Sequence, residues 1–209
     1  MRIVILFLAV IFSHFPVFAA ADLFTTHINS ASNINLGMSS RWNALIKAAD
    51  FVVSGEIERL NQIRKFSGDK DWYMRNATLI ALSKINKMEA IEEAKKLLQD
   101  KALVVRSAAV EILATHLTEE NKNILGEELN KAYNFNKKSS LWIRKQIVEK
   151  LSLSAGVADR HFFVKSLFDS DKEIAHLSAE TLAKITGQRV DGNQFIEKWQ
   201  TIVKQNNWL

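Results

Sequence analysis

A repeat of 31 to 38 residues runs through most of this chain, and no other feature of the sequence restricts the fold as much. Its clearest copy begins at Asp100 and is centred on Arg106. Equivalent segments are centred on Arg75, Arg144 and Ala175, so successive copies lie 31, 38 and 31 residues apart. A period of this size predicts an array of similar structural units, each stacked on the next.

Composition indicates that these units are helical. The chain has 209 residues with one Pro and seven Gly, whereas sheets and long loops usually need more of both. Hydrophobic residues make up 47% of the chain, which is enough for a sizeable core. There is no Cys, so disulfide bonds and thiol chemistry are excluded. The net charge of +5 comes from interspersed residues of both signs, a pattern typical of a solvated surface.

Apolar residues within the repeat follow a helical period. An apolar residue precedes the central position of each copy and a Leu follows seven residues after it: Met74 and Leu82, Val105 and Leu113, Ile143 and Leu151, Ile174 and Leu182. This stripe predicts an inner helix in each unit, paired with an outer helix before it. The predicted inner helices are Trp72–Asn86, Ala102–Thr115, Leu141–Leu153 and Lys172–Thr186. The expected fold is therefore all-α, an α-α superhelix (α-solenoid) of about four helix pairs from Glu56 onward, with a flanking helix at each end.

Two charged positions keep the same register. The central position holds Arg75, Arg106 and Arg144. An Asp precedes it by six residues in three copies, at Asp69, Asp100 and Asp169. Such an Asp can accept hydrogen bonds from backbone N–H groups that open the next helix and can pair with an Arg of an adjacent unit. We interpret these six residues as a structural ladder; a row of arginines for an anionic ligand is the alternative. The third copy departs from the pattern, with a longer outer helix and Lys138 in place of the Asp.

The N-terminus has the layout of a secretory signal peptide. Arg2 precedes ten apolar residues, and small residues follow at Ala19–Ala21. The apolar run is shorter than the roughly 20 residues that a membrane-spanning helix needs. We predict a signal peptide over residues 1–21, a polar, loosely ordered arm over 22–40 and the repeat domain over 41–209. The protein would then be exported, periplasmic or secreted, without a stable membrane span after cleavage; an uncleaved anchor is the alternative.

These motifs resemble the HEAT-like repeats of short bacterial proteins, including the phycobilisome-lyase type. The resemblance covers roughly Glu56 to Gly187, and Thr186-Gly187 followed by a helix with Trp199 also resembles the way such proteins end. It implies an α-solenoid whose usual work is to hold another protein. Lyase-type members handle bilin attachment and some HEAT-like proteins bind DNA. Two alternatives are therefore a lyase-like or other ligand-handling enzyme and a nucleic-acid-binding protein.

The concave face of the inner helices is the predicted partner site, because solenoids bind along that face. Aligned positions there combine aromatic or apolar residues with polar ones, as interaction hot spots do: Tyr73, Asn76, Ile80, Trp142, Lys145 and His176. The alternative is that the two aromatic residues cover seams between helices. The same face carries three acids that disfavour a nucleic-acid partner: Glu111, Glu149 and Glu180.

The sequence lacks the motifs that usually carry catalysis or bind cofactors. It has no His pair with helical metal-site spacing, no His-Glu-x-x-His, no Gly-rich phosphate loop and no Gly-x-Ser-x-Gly. We therefore predict no cofactor, no metal and no catalytic residue, although a site assembled across several units stays open. The predicted function is that of a non-catalytic scaffold or adaptor in the cell envelope that binds a protein or peptide.

Overall fold

The computed structural model describes residues 15–53, 55–190 and 192–209. Residues 1–14, the larger part of the predicted signal peptide, lie outside that part of the chain. The prediction of an all-α protein is confirmed. The helices are α1 (Phe15–Ser32), α2 (Met38–Ala48), α3 (Ile57–Arg64), α4 (Trp72–Ile85), α5 (Lys87–Leu97), α6 (Leu103–Ala114), α7 (Glu119–Glu128), α8 (Trp142–Leu153), α9 (Arg160–Ser166), α10 (Lys172–Thr186) and α11 (Phe195–Gln205).

One small antiparallel hairpin lies between α7 and α8. Its strands are β1 (Phe135–Asn136) and β2 (Ser139–Ser140), and it belongs to the third copy of the repeat, for which the sequence predicted a longer outer helix. None of the helices in the described ranges is both long and apolar enough to cross a bilayer.

The predicted inner helices correspond to α4, α6, α8 and α10, whose ends lie within one residue of the predicted ends. Their apolar stripe is buried, with no member more than 5% exposed: Met74, Leu82, Val105, Leu113, Ile143, Leu151, Ile174 and Leu182. Burial of each such side chain contributes roughly 1.5–3 kcal/mol. The stripe is therefore the main source of stability along the repeat.

The chain divides into two compact units, residues 1–93 and 94–209. In the first unit, α1 packs on α2, α2 packs on α4, and α3 packs on α4. Residues of α2 and of the turn after it contact α4 in the same order along the chain: Arg41 contacts Tyr73, and Asp50, just after α2, contacts Lys84. The two helices therefore run parallel, with equivalent residues about one repeat apart.

Most of the segment predicted as an arm, residues 22–40, is helical. Residues 22–32 belong to α1, and α2 already begins at Met38. Phe24 and Ala31 lie two turns apart on α1 and are both buried, while the guanidinium of Arg59 lies over the Phe24 ring at 5.0 Å. The segment is rich in Asn, Ser and Thr, but its few apolar residues have helical spacing. That spacing is enough to dock α1 on its neighbour, so α2 becomes the inner partner of an additional helix pair.

In the second unit, α6 packs on α8 and α8 packs on α10. Gln146 of α8 donates to the Ser107 carbonyl of α6, and Lys150 of α8 pairs with Glu111 of α6 one turn further on. Both pairs are 39 residues apart, so the two helices run parallel in the register of the repeat. Outer helix α7 packs on α6 and α8, and α9 packs on α10.

The C-terminal end has the predicted turn and helix. Gly187 ends α10 with a φ of 70°, in the left-handed region that favours glycine. Helix α11 then packs on α10 and buries Trp199 completely. Trp199 is therefore a packing residue of the last helix.

Candidate functional site

The three Asp residues of the ladder order the turns that lead into the inner helices. In each of Asp69, Asp100 and Asp169, one carboxylate oxygen accepts the N–H of the residue two positions later, at 2.9, 2.7 and 2.9 Å. This is an Asx turn, in which the Asp side chain holds the backbone of the turn in place. The spacing in the sequence thus reflects a backbone requirement that recurs in both units.

Arg144 is the most fully bonded of the ladder arginines and is 1% exposed. Its guanidinium pairs with the Asp169 carboxylate of the following repeat at 2.5 and 3.2 Å. It also donates to the Leu129 carbonyl at 2.9 Å, to Asn130 at 3.1 Å and to Ser140 at 3.0 Å. All five N–H groups of the guanidinium therefore have acceptors, as a buried charge requires.

Arg41 of α2 is a ladder member that the sequence prediction missed. It is buried, and it donates to Asp69 at 2.9 Å, to Asp71 at 2.7 Å, to the Tyr73 hydroxyl at 2.9 Å and to the Ala31 carbonyl at 2.9 Å. Burial alone would raise the pKa of Asp71, but hydrogen bonds from Arg41 and Tyr73 outweigh it and hold that pKa below its usual range. The helix predicted as a simple flanking element thus carries the same device as the repeats.

Arg75 and Arg106 share a different contact. Each donates to the backbone carbonyl of the Asp six residues earlier, Arg75 to Asp69 and Arg106 to Asp100, both at 2.8 Å. The arginine therefore holds the start of its own inner helix. This contact is built from backbone oxygens, and it explains why the Asp and the Arg keep a constant spacing.

The third repeat has Lys138 where the others have an Asp, and other groups accept the hydrogen bonds of the arginine at this site. Arg106 donates to the Asn134 side-chain oxygen at 3.2 Å and to the Tyr133 carbonyl at 3.0 Å. Asn134 in turn donates to the buried Glu128 side chain at 3.3 Å. Burial raises the pKa of the Glu128 carboxyl above its usual range, against the opposing hydrogen bonds from Tyr133 and Asn134.

Burial of the arginine row favours the structural interpretation over the ligand-binding one. A row that binds an anionic ligand needs guanidinium groups at the surface. The four arginines are at most 5% exposed, and their acceptors are groups of the fold itself: Arg41, Arg75, Arg106 and Arg144. The arrangement therefore acts as internal support for the turns and inner helices.

The predicted partner residues divide between the two units, three in each. In the first unit, Tyr73, Asn76 and Ile80 are all half-buried. The Tyr73 hydroxyl accepts from Arg41 and donates to Asp71 at 3.2 Å, so this side chain is engaged within the fold. The expectation of an exposed aromatic anchor at Tyr73 is not met.

In the second unit, the three predicted residues lie on α8 and α10. These helices run parallel, because Lys145 pairs with Glu173 near their first turns and Lys184 donates to the Ser152 carbonyl near their last turns. Trp142 is 53% exposed in the first turn of α8. Lys145 pairs with Glu173 at 2.8 Å, and the hydrogen bond between them raises the pKa of Lys145. His176 lies 3.3 Å from Glu180. The surface thus has one large exposed aromatic residue beside polar side chains that contact one another.

Another bonded group lies across the α6–α8 seam of this surface. The Glu111 carboxylate accepts from Gln146 at 2.7 Å and pairs with Lys150 at 2.7 Å. Partial burial would raise the Glu111 pKa, but these two donors outweigh it and lower the pKa. Together with the pairs on α8 and α10, this group holds the inner-helix surface of the second unit in a defined arrangement.

The hairpin is the feature of this region that sequence reasoning did not find. Its two turn residues, Lys137 and Lys138, have φ values of 48° and 80°. Tight hairpin turns with two positive φ values favour Asn-Gly or Gly-Gly, so two lysines give no hairpin signal. The only indications in the sequence were the extra length of this repeat and a run of polar residues before Leu141.

A cleft of about 540 Å³ lies between α7 and α9 in the second unit. The Lys122 ammonium and the Asp159 carboxylate, 3.1 Å apart, line it together with the rings of Phe162 and Phe163. Across the described ranges, no group of three or more His, Asp or Glu side chains has an arrangement that could hold a metal ion. The cleft is thus a mixed polar and aromatic groove on the outer-helix side.

No protein-family model matches the sequence. No curated protein matches it either. The resemblance to HEAT-like repeats therefore stays a prediction, and the arguments about function rest on the residues and their geometry.

Proposed function

We propose that this protein is a non-catalytic scaffold of HEAT-like helical repeats that holds a protein or peptide partner. In this proposal the repeats form a superhelix, and the partner lies on the inner-helix surface of the second unit. Two features support it: parallel helices α6, α8 and α10 in repeat register, and solvent-exposed side chains along them. A stack of this kind is suited to binding extended segments, because each helix offers equivalent positions at regular intervals.

The observation that carries the proposal is the exposure of Trp142. A tryptophan side chain buries a large apolar area when it has a neighbour, and tryptophan is enriched among residues that dominate binding energy. Trp142 is 53% exposed, although the same first turn of α8 contains the buried and fully bonded Arg144. A rigid, exposed aromatic side chain loses little conformational entropy on binding, which favours its use as an anchor.

Export to the cell envelope is the second part of the proposal. It is supported by the signal-like layout at the N-terminus: one basic residue, ten apolar residues and a run of small residues. The lack of Cys is compatible with an oxidising compartment, because the fold then has no thiol to protect. A fusion of residues 1–40 to a reporter that is active only after export tests this part separately.

The scaffold proposal is tested by affinity capture from the envelope fraction of the source organism. Tagged protein is compared with Trp142→Ala and with Leu153→Ala as a matched control. Leu153 is 72% exposed at the opposite end of the same helix, so both substitutions remove an exposed apolar side chain from α8. Circular dichroism verifies that all three proteins have the same helicity.

The expected result is a partner that is retained by the wild type and by Leu153→Ala and lost by Trp142→Ala. If all three proteins retain the partner, the binding surface lies elsewhere on the molecule. If no protein is captured by the wild type under mild cross-linking, the scaffold proposal is wrong.

A further inference from the structure

An exposed surface surrounds the hairpin at the start of α8. We define it as the hairpin patch: Val104, Tyr133, Lys137, Lys138 and Trp142. The three apolar or aromatic members are 41%, 37% and 53% exposed, in that order. The two lysines are exposed as well.

The hairpin places the two aromatic residues of the patch on either side of its base. Phe135 pairs with Ser140, and the Leu141 N–H donates to the Asn134 carbonyl at 3.0 Å. Tyr133 and Trp142 are the next residues outward from this last pair, Tyr133 in a single 3-10 turn and Trp142 at the start of α8. The Tyr133 hydroxyl bonds to Glu128, while the Trp142 side chain is 53% exposed.

Val104 joins the same patch through α6. The guanidinium of Arg106 lies 5.4 Å from the Tyr133 ring and bonds to the Tyr133 carbonyl, which ties Tyr133 to the first turn of α6. Val104 lies in that turn. The parallel register of α6 and α8 also aligns this turn with the turn that contains Trp142. The apolar part of the patch therefore extends over the ends of two inner helices.

The two lysines occupy backbone positions that do not suit them. Side chains with a Cβ are disfavoured at positive φ, and residues at both central positions of this turn are usually Asn or Gly. Lys137 and Lys138 adopt φ values of 48° and 80° and point two charges into solvent. A locally unfavourable residue at a surface position suggests that its side chain has a use that the fold does not explain.

The acids that bond to the hairpin region are engaged within the fold. Glu128 is buried and accepts hydrogen bonds from Asn134 and Tyr133. Asp169 is paired with Arg144, and Asp171 accepts hydrogen bonds from Ser140 and from the Glu173 N–H. None of these three carboxylates pairs with Lys137 or Lys138, so the charge at the tip of the hairpin is positive.

We infer that the hairpin patch binds a short acidic peptide segment that carries one large apolar anchor residue. This rests on the proposed scaffold function and names the chemistry of its partner. The anchor side chain packs between Tyr133, Trp142 and Val104, and flanking Asp or Glu residues pair with Lys137 and Lys138. Aromatic anchors with adjacent charge pairs supply both affinity and orientation in such complexes.

The rest of the inner-helix surface restricts the length of this segment. Glu111, Glu149 and Glu180 lie further along the same helices. A long polyanion such as a nucleic acid would have to pass these acids, and like charges in apposition weaken binding. A peptide with only a few acidic residues avoids that repulsion. We therefore place the acidic segment at the hairpin patch alone.

The experiment is a selection from a displayed library of short random peptides, with the full chain as bait. Two test variants are used, Trp142→Ala and Lys137→Glu/Lys138→Glu. The charge-matched control is Lys47→Glu/Lys165→Glu, which reverses two exposed lysines outside the patch. Fluorescence anisotropy of the enriched peptides measures the affinities at about 50 and 200 mM salt.

The expected result is enrichment of peptides with net negative charge and at least one aromatic or large aliphatic residue. Both test variants should bind them about tenfold more weakly, the control should bind like the wild type, and higher salt should weaken binding. Neutral or basic peptides, or acidic peptides that both variants retain, would overturn the inference and leave the scaffold proposal in place. The absence of any enriched peptide would count against both proposals.

Two further probes separate peptide binding from other anionic ligands. Phosphatidylglycerol vesicles and a single-stranded oligonucleotide are tested with the same four proteins. Binding of either probe that depends on Lys137 and Lys138, together with weaker or no peptide binding, would assign the patch to a different macromolecule and overturn the inference.

Discussion

Arg106 and Arg144 occupy equivalent positions in successive repeats, but different kinds of group accept the hydrogen bonds of their buried guanidinium groups. Arg144 has the carboxylate of Asp169 directly against it. Arg106 has the neutral side chain of Asn134 and a backbone carbonyl instead, with the Glu128 carboxyl one hydrogen bond further away. Both arginines are at most 4% exposed, so the difference does not come from solvent access.

The comparison shows that the repeat requires a satisfied guanidinium and does not require an Asp at one particular position. At the Arg106 site the turn before the hairpin supplies two acceptors, Asn134 and the Tyr133 carbonyl, so no Asp is needed at position 138. Lys138 occupies that position and lies at the exposed tip. Position 138 therefore has no part in supporting the arginine and lies at the surface. The proposed peptide site depends on this difference.

The largest expected effect comes from removing the two arginines in turn. Arg144→Leu should destabilise the protein by about 3–5 kcal/mol, because it leaves the Asp169 carboxylate, which is only 11% exposed, without its cation. Arg106→Leu should cost only about 1–3 kcal/mol, since the acceptors left behind are an amide and carbonyls. Urea unfolding followed by circular dichroism measures both. Equal losses would show that the carboxylate makes no difference.

A second variant asks whether a carboxylate can be restored at the Arg106 site. Asn134→Asp should destabilise the protein by about 2 kcal/mol at neutral pH, because the new carboxylate loses the donor that bonds to Glu128 and repels that residue. Adding Glu128→Gln should recover about half of the loss, since an amide there can donate to the new carboxylate. If Asn134→Asp alone equals or exceeds the wild type in thermal stability, a carboxylate serves at this site at least as well as the Asn134 amide, and the explanation by the lost donor and the repulsion from Glu128 is wrong.

How well each part could be predicted depends on whether its determinants lie within one repeat. The buried stripe of α8, from Ile143 to Leu151, is local and periodic, and its helix ends where predicted. Arg41 was missed because Ser40 precedes it in place of an apolar residue and Ala48 replaces the Leu seven positions later. Its role becomes visible only through Asp69, which is distant in sequence.

The candidate site was less predictable than the fold, because exposure depends on distant neighbours. Tyr73 and Trp142 occupy the same position in their repeats, and the sequence treats them alike. Tyr73 is half-buried since its hydroxyl meets Arg41, which lies 32 residues earlier. Trp142 follows the hairpin and stays exposed. The residue pattern of a single repeat shows neither the contact of Tyr73 with Arg41 nor the exposure of Trp142.

Replacing the two lysines of the hairpin turn should have a smaller effect and should stabilise the protein. Lys137→Asn/Lys138→Gly should raise stability by about 1.5 kcal/mol, because these residues tolerate the positive φ values of the turn. Differential scanning calorimetry measures the shift in Tm, and Lys47→Asn/Lys165→Asn serves as a control for the lost charge. If the lysines are retained for binding, the stabilised variant should also bind acidic peptides more weakly. An unchanged Tm would show that the lysines are not strained.

The smallest effect is a pH dependence confined to the Arg106 site. Burial raises the pKa of Glu128, so the folded state holds its proton more tightly than the unfolded state does. The stabilisation from this proton is complete below the ordinary glutamate pKa and is lost as the pH rises through the raised folded pKa. Glu128→Gln keeps one acceptor oxygen and cannot ionise. Its stability relative to the wild type should therefore rise with pH, by less than about 1 kcal/mol between roughly pH 4 and 8. Urea unfolding across this range measures the difference, and a difference that shrinks toward high pH would mean that Arg106 stabilises the ionised carboxylate.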